Sequence, residues 1–141
     1  MREFARPAGA RMMKAPFVSV VDDDRFFRAS MSRFVMALGY GAEDFESAAA
    51  FLASPRLAET TCLIADIHMP TMTGVELHRH LVNAGHAIPT ILVTGRPDDS
   101  ERARALRDGV VCYLGKPISE ERLVQCLHSA LQFDRSPQPD C

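Results

Sequence analysis

The sequence contains no apolar run approaching the ~20 residues that a helix needs to cross a bilayer, so no segment reads as a membrane span. It carries little net charge, −2 over 141 residues. That is too weak a field to suggest nucleic acid or an anionic membrane as the main partner. The N-terminal stretch "MREFARPAGARMMKAP" is basic but has no apolar core, and therefore does not read as a secretory signal. Residues 1–15 are expected to be a disordered leader, with Met12 or Met13 as alternative starts. The four cysteines, Cys62, Cys112, Cys126 and Cys141, include no pair at zinc-finger or CxxC spacing. Cys62 and Cys112 lie in strand-like runs and Cys126 on a helical face, which predicts reduced core thiols in a cytoplasmic protein. Cys141 stands at a loose end and is expected to be exposed.

With hydrophobic residues at 47% and charged residues at 24%, the chain has the balance of one globular domain with a sizeable core. Four short apolar runs, "FVSVV" (17–21), "CLIAD" (62–66), "TILVTG" (90–95) and "VVCYLG" (110–115), have strand length and are apolar on both faces. That is the pattern of buried parallel strands. The more polar "YGAEDF" (40–45) suits a sheet edge.

Helical patterns separate the runs. Phe27, Met31, Phe34, Val35 and Leu38 form a stripe over 25–38. Residues 47–54 read as a short helix stopped by Pro55. Thr73 and Glu76 make a capping box opening a helix to about Ala84. Residues 98–108 form a charged helix ended by Gly109. Ser119 caps a last helix carrying Leu123, Val124, Leu127, Ala130 and Leu131. This fivefold alternation predicts a doubly wound parallel sheet with helices on both faces. The domain is expected over 16–133, with a polar tail at 134–141 and no sign of an output domain.

Open sheets of this kind place their sites at the carboxyl ends of the strands. Those ends carry Asp22, Asp23 and Asp24, then Asp66, then Thr94, then Lys116 and Pro117. Clustered carboxylates require a cation or shared protons, and a hard ion such as Mg²⁺, with Mn²⁺ as a substitute, fits an all-oxygen set. Lysine and threonine add a positive charge and a hydroxyl for phosphate oxygens. These are parts for phosphoryl transfer, with Asp66 as the carboxylate nucleophile, Asp22 and Asp23 for the metal, and Asp24 as a helix cap.

The ordered set "VVDDD", "LIADIHMPTMTGVEL", "ILVTG" and "YLGKP" resembles the receiver domain of two-component response regulators, and most closely its FixJ-like branch within the CheY-like superfamily. The resemblance covers about 16–131. It implies strand order 2-1-3-4-5 and Asp66 as the phosphoacceptor. Asp23, with Asp22 assisting, Asp66 and the main-chain carbonyl of His68 would be the Mg²⁺ ligands. Thr94 and Lys116 would bind the phosphoryl oxygens. It further implies a cis bond before Pro117 and a switch in which Thr94 moves toward the phosphate while Tyr113 turns inward. His68 and Arg96 hold the positions that tune phosphate lifetime. Ile118 departs from the phenylalanine frequent after Lys-Pro.

The implied donor is a sensor histidine kinase or histidine phosphotransfer protein. The implied readout is a downstream protein or a second receiver docking on the fourth helix, fifth strand and fifth helix, where Arg102, Arg104 and Arg107 make one side basic. Neither direct DNA binding nor membrane association is expected, and the location is expected to be cytoplasmic. The chain would catalyse only its own phosphorylation and dephosphorylation.

Two other readings remain open on the residues alone. Asp22-x-Asp24 mimics the DxD of aspartyl phosphohydrolases, although no cap insertion accompanies it. A docking module without phosphate chemistry would also fit the fold. His78 and His80, two apart on a helix, do not share a face and make a poor zinc pair. His86 and His128 read as surface residues.

Overall fold

The computed structural model describes residues 15–135. The strands are β1 (Phe17–Val21), β2 (Gly41–Phe45), β3 (Cys62–Asp66), β4 (Thr90–Thr94) and β5 (Cys112–Gly115), and all pair in parallel in the order β2-β1-β3-β4-β5. Between and after them lie α1 (Arg25–Ala37), α2 (Ala48–Leu52), α3 (Gly74–Asn83), α4 (Asp99–Arg107) and α5 (Glu120–Arg135). The expected architecture and strand order are therefore observed, with the polar β2 at one edge.

The strands are buried on both faces because their residues alternate between two apolar layers. Leu63, Ala65, Leu92 and Tyr113 face the layer that holds Phe51, Leu77, Leu81 and Ala105 of α2, α3 and α4. Cys62, Ile64, Ile91, Val93 and Leu114 face the layer of Met31 and Val35 from α1 and Leu123 and Leu127 from α5. Leu38, expected in the α1 stripe, is exposed at the helix end.

The predicted caps are observed. Asp24 accepts from Phe26 N and Phe27 N, and Ser119 from Arg122 N; Asp98, read as the first residue of its helix, is instead that helix's cap and accepts from Glu101 N. Thr73 and Glu76 complete their reciprocal capping box. Pro55 does more than stop α2. It occupies the first turn of a 3₁₀ helix, Pro55–Glu59, capped by Ser54.

One expectation is overturned. Cys112 and Cys126 are joined as a disulfide, with Cα atoms 6.1 Å apart, and Cys62 is a buried cysteine outside that pair. β5 and α5 pack in the same apolar layer, which brings together two side chains 14 residues apart. Sequence spacing rules do not register such a meeting. Of the leader expected over 1–15, residues 1–14 lie outside the described residues, as do 136–141 of the tail expected over 134–141, Cys141 included. Among the described residues, no helix is long and apolar enough to cross a membrane.

Candidate functional site

In parallel register Val21 pairs with Ala65, Asp66 with Val93 and Thr94 with Gly115. The residues that leave the strands at one end of the sheet therefore share one crevice. Asp22 and Asp66 are buried there, and Asp23 is exposed. Carboxylate oxygens of Asp22, Asp23 and Asp66 all lie within 4.8 Å of one another. This is an all-oxygen donor set with two members shielded from water, and it fits a hard divalent cation such as Mg²⁺.

Lys116 ties the acids together. Its Nζ lies 2.9 Å from Asp22 Oδ2 and 3.2 Å from Asp66 Oδ1. The same ammonium sits 4.1 Å from the centroid of the Phe27 ring, a cation–π contact that supports it from the α1 side. Lys116 N also donates to the Thr94 carbonyl at 2.7 Å, and the Lys116–Pro117 bond is cis.

The charges act on one another. Burial pushes the Asp22 carboxyl up, and the Asp66 charge adds to this, while the bond from Lys116 and the Asp24 N–H pull it back. Burial alone would pull Lys116 down, but its bond to Asp22 and the charges of Asp22 and Asp66 outweigh burial and raise it. The ammonium therefore stays charged, placed between the Asp22 and Asp66 carboxylates.

Thr94 is fully buried, and its hydroxyl oxygen accepts from Arg96 N at 3.0 Å. Tyr113 is buried on the α4 side of β5. His68 and Arg96 are exposed at the mouth. Asp24 is occupied as the α1 cap, which weighs against a DxD nucleophile pair. His78 is buried while His80 is exposed, and burial holds the His78 imidazole below its ordinary range.

Two contributors escaped sequence reasoning. Phe27 was legible only as one member of an apolar stripe, and Arg28 not at all. Arg28 donates to the Asp22 carbonyl at 3.2 Å and pairs with Asp44 at 3.3 Å, fastening β1 to β2 beside the acids. No local signal marks either role, since both depend on how α1 lies across the sheet.

The response regulator receiver domain family profile matches residues 18–128. The chain belongs to this family. The receiver is 33% identical over 120 residues to the response regulator protein TodT of Pseudomonas putida, a match covering 85% of this chain and 53% of TodT. It is 30% identical over 115 residues to the transcriptional regulatory protein FixJ of Bradyrhizobium diazoefficiens, covering 82% and 56%. The chain thus spans about half the length of these curated relatives. Among solved structures, the receiver resembles the N-terminal part of FixJ (TM-score 0.75, 30% identity, 85% of this chain and 96% of that one). It also resembles the response regulator StyR (TM-score 0.78, 32% identity, 85% and 61%).

Proposed function

We propose that this receiver accepts a phosphoryl group on Asp66 from a histidine kinase or histidine phosphotransfer protein and thereby switches a protein-binding surface. The observation that carries the reading is Asp66 Oδ1 held 3.2 Å from Lys116 Nζ beside the Asp22 and Asp23 carboxylates. In the transfer, a carboxylate oxygen of Asp66 attacks phosphorus, and the donor's bond to phosphorus breaks with its electron pair leaving on the donor. Lys116 offsets the charge on the phosphoryl oxygens, and Thr94 offers its hydroxyl to one of them. Asp22, Asp23, Asp66 and the His68 carbonyl would hold Mg²⁺, which supplies further positive charge against the phosphate. His68 and Arg96, exposed at the mouth, are placed to influence how long the acyl phosphate survives.

The phosphoryl group adds roughly −1.5 to −2 charge, which biases a two-state element. The readout we propose is a protein partner or second receiver on α4, β5 and α5, without direct DNA contact by this domain, in the cytoplasm. The role proposed is that of the receiver domain. It turns over no external substrate.

Incubation with Mg²⁺ and acetyl phosphate, followed by intact mass, tests the reading. One added phosphoryl group in the native protein and none in Asp66→Asn is expected. Equal labelling of the two would overturn the assignment, and steady hydrolysis of an added phosphate ester would favour a phosphohydrolase.

A further inference from the structure

Tyr113 is 6% exposed and points from β5 toward the first turn of α4. Its phenol oxygen accepts from Asp98 N at 3.0 Å and its proton goes to Glu101 Oε1 at 2.6 Å. Asp98 in turn accepts from Glu101 N at 2.8 Å through its own carboxylate. These links close a ring of hydrogen bonds that clasps the phenol to the start of α4.

Glu101 could serve merely as a first-turn acid favoured by the helix dipole. Any acid with its side chain in water would satisfy that role. Here the carboxylate turns inward instead and makes a short, charge-assisted bond to a buried hydroxyl, a stronger bond than a neutral acceptor gives.

The segment between the clasp and the site is short. Gly95, Arg96 and Pro97 connect Thr94 to Asp98, and Arg96 N is bonded to Thr94 Oγ1 at 3.0 Å. Pro97 lies so close to Gly115 that a Cβ there would stand 2.7 Å from Pro97 Cγ. The loop is thus tethered at the site by Thr94, against β5 by Pro97, and at α4 by the Tyr113 clasp. Outside the clasp, an open groove of about 360 Å³ lies between α4 and α5, with Tyr113 in its lining and Arg102 and Arg122 among its other walls. A ring released from the clasp has this groove to enter.

We infer that Glu101 is a positioning residue that holds the Tyr113 ring in its buried place and, through Asp98, sets the loop that presents Thr94. The inference rests on the receiver reading, in which Thr94 binds a phosphoryl oxygen. Glu101 then couples phosphoryl binding to the state of the groove: with the ring clasped the groove is open, and with the ring free it is filled.

The test uses the full chain labelled with ¹³C-ring tyrosine. Its two tyrosines give separate signals, and Tyr113→Phe assigns them. The probe is beryllofluoride with Mg²⁺. Glu101→Ala is expected to move the Tyr113 signal toward that of a solvent-exposed ring and to weaken beryllofluoride binding roughly 3- to 10-fold. Glu101→Gln, whose amide oxygen still accepts from the phenol, should restore most of both. In a Tyr113→Phe background, Glu101→Ala should cost nothing further, because no hydroxyl remains to hold.

An unmoved Tyr113 signal with unchanged affinity in Glu101→Ala would overturn the inference. So would a Glu101→Ala loss that persists without the Tyr113 hydroxyl. If the native protein binds no beryllofluoride, the receiver reading falls and the Thr94 coupling falls with it, while the Tyr113 signal still decides whether Glu101 clasps the ring.

Discussion

At the scale of single residues, the site depends on close approach as much as on charge. Gly74 opens α3 directly against the end of β3. A Cβ added there would stand 2.5 Å from the Asp66 carbonyl oxygen and 3.2 Å from Ile67 Cα, so backbone and not a flexible side chain would have to move. Gly74→Ala should therefore cost about 1–3 kcal/mol of stability and slow acetyl-phosphate labelling by displacing Asp66. Denaturant melts and intact mass would check the two effects. Unchanged stability and unchanged labelling would show that α3 stands off from β3 by more than this geometry allows.

At the scale of elements, most of the fold and the strand-end residues of the candidate site were legible beforehand. Asp22, Asp66, Thr94 and Lys116 could be read because each stands at the end of an apolar run, and a parallel sheet brings those ends to one edge. Thr73, Asp24 and Ser119 were legible as caps because capping is local. Phe27 under Lys116, Glu101 against Tyr113 and the Cys112–Cys126 pair were not. Each joins a helix to a strand, and periodicity tells which face of a helix is apolar but not which strand residue that face meets.

The cysteine pair gives a test at this scale. A peptide map made without reductant should recover Cys112 and Cys126 on joined peptides. Reduction should lower stability by about 3 kcal/mol for a loop of this length. Separately alkylated Cys112 and Cys126 peptides would contradict the pairing. The pairing also removes the thiol argument for a cytoplasmic location, which then rests on the family reading alone.

The contact between β5 and α4 gives a second test. Burial, then the bond to Glu101, pushes the Tyr113 phenol up to about 12 from 10.0. A raised value means that the fold favours the neutral phenol. The stability it contributes is therefore intact below about pH 10 and is lost as pH rises toward 12. Absorbance of the phenolate should show a step near 12 that disappears in Tyr113→Phe, and melts in Tyr113→Phe should fall less steeply over that window. A single titration complete by pH 11 would contradict the buried, bonded phenol.

At the scale of the whole molecule, the crevice is an electrostatic compromise. Three carboxylates face one ammonium, with Asp22 pushed up by burial and by Asp66. A divalent cation that binds only the folded chain should relieve this and stabilise it. Mg²⁺ at ~100 times its dissociation constant should add about 2.7 kcal/mol, reversed by chelator and much reduced in Asp23→Asn. Melting curves indifferent to Mg²⁺ would count against the cluster as a metal site.

The most direct measurement of the central claim is to locate the phosphoryl group itself. Protein labelled with acetyl phosphate and Mg²⁺ is reduced with borohydride, which converts an aspartyl phosphate to homoserine, and is then mapped by peptide mass. The account predicts homoserine at position 66 and nowhere else. Homoserine at position 23 or 24, with Asp66 intact, would contradict it.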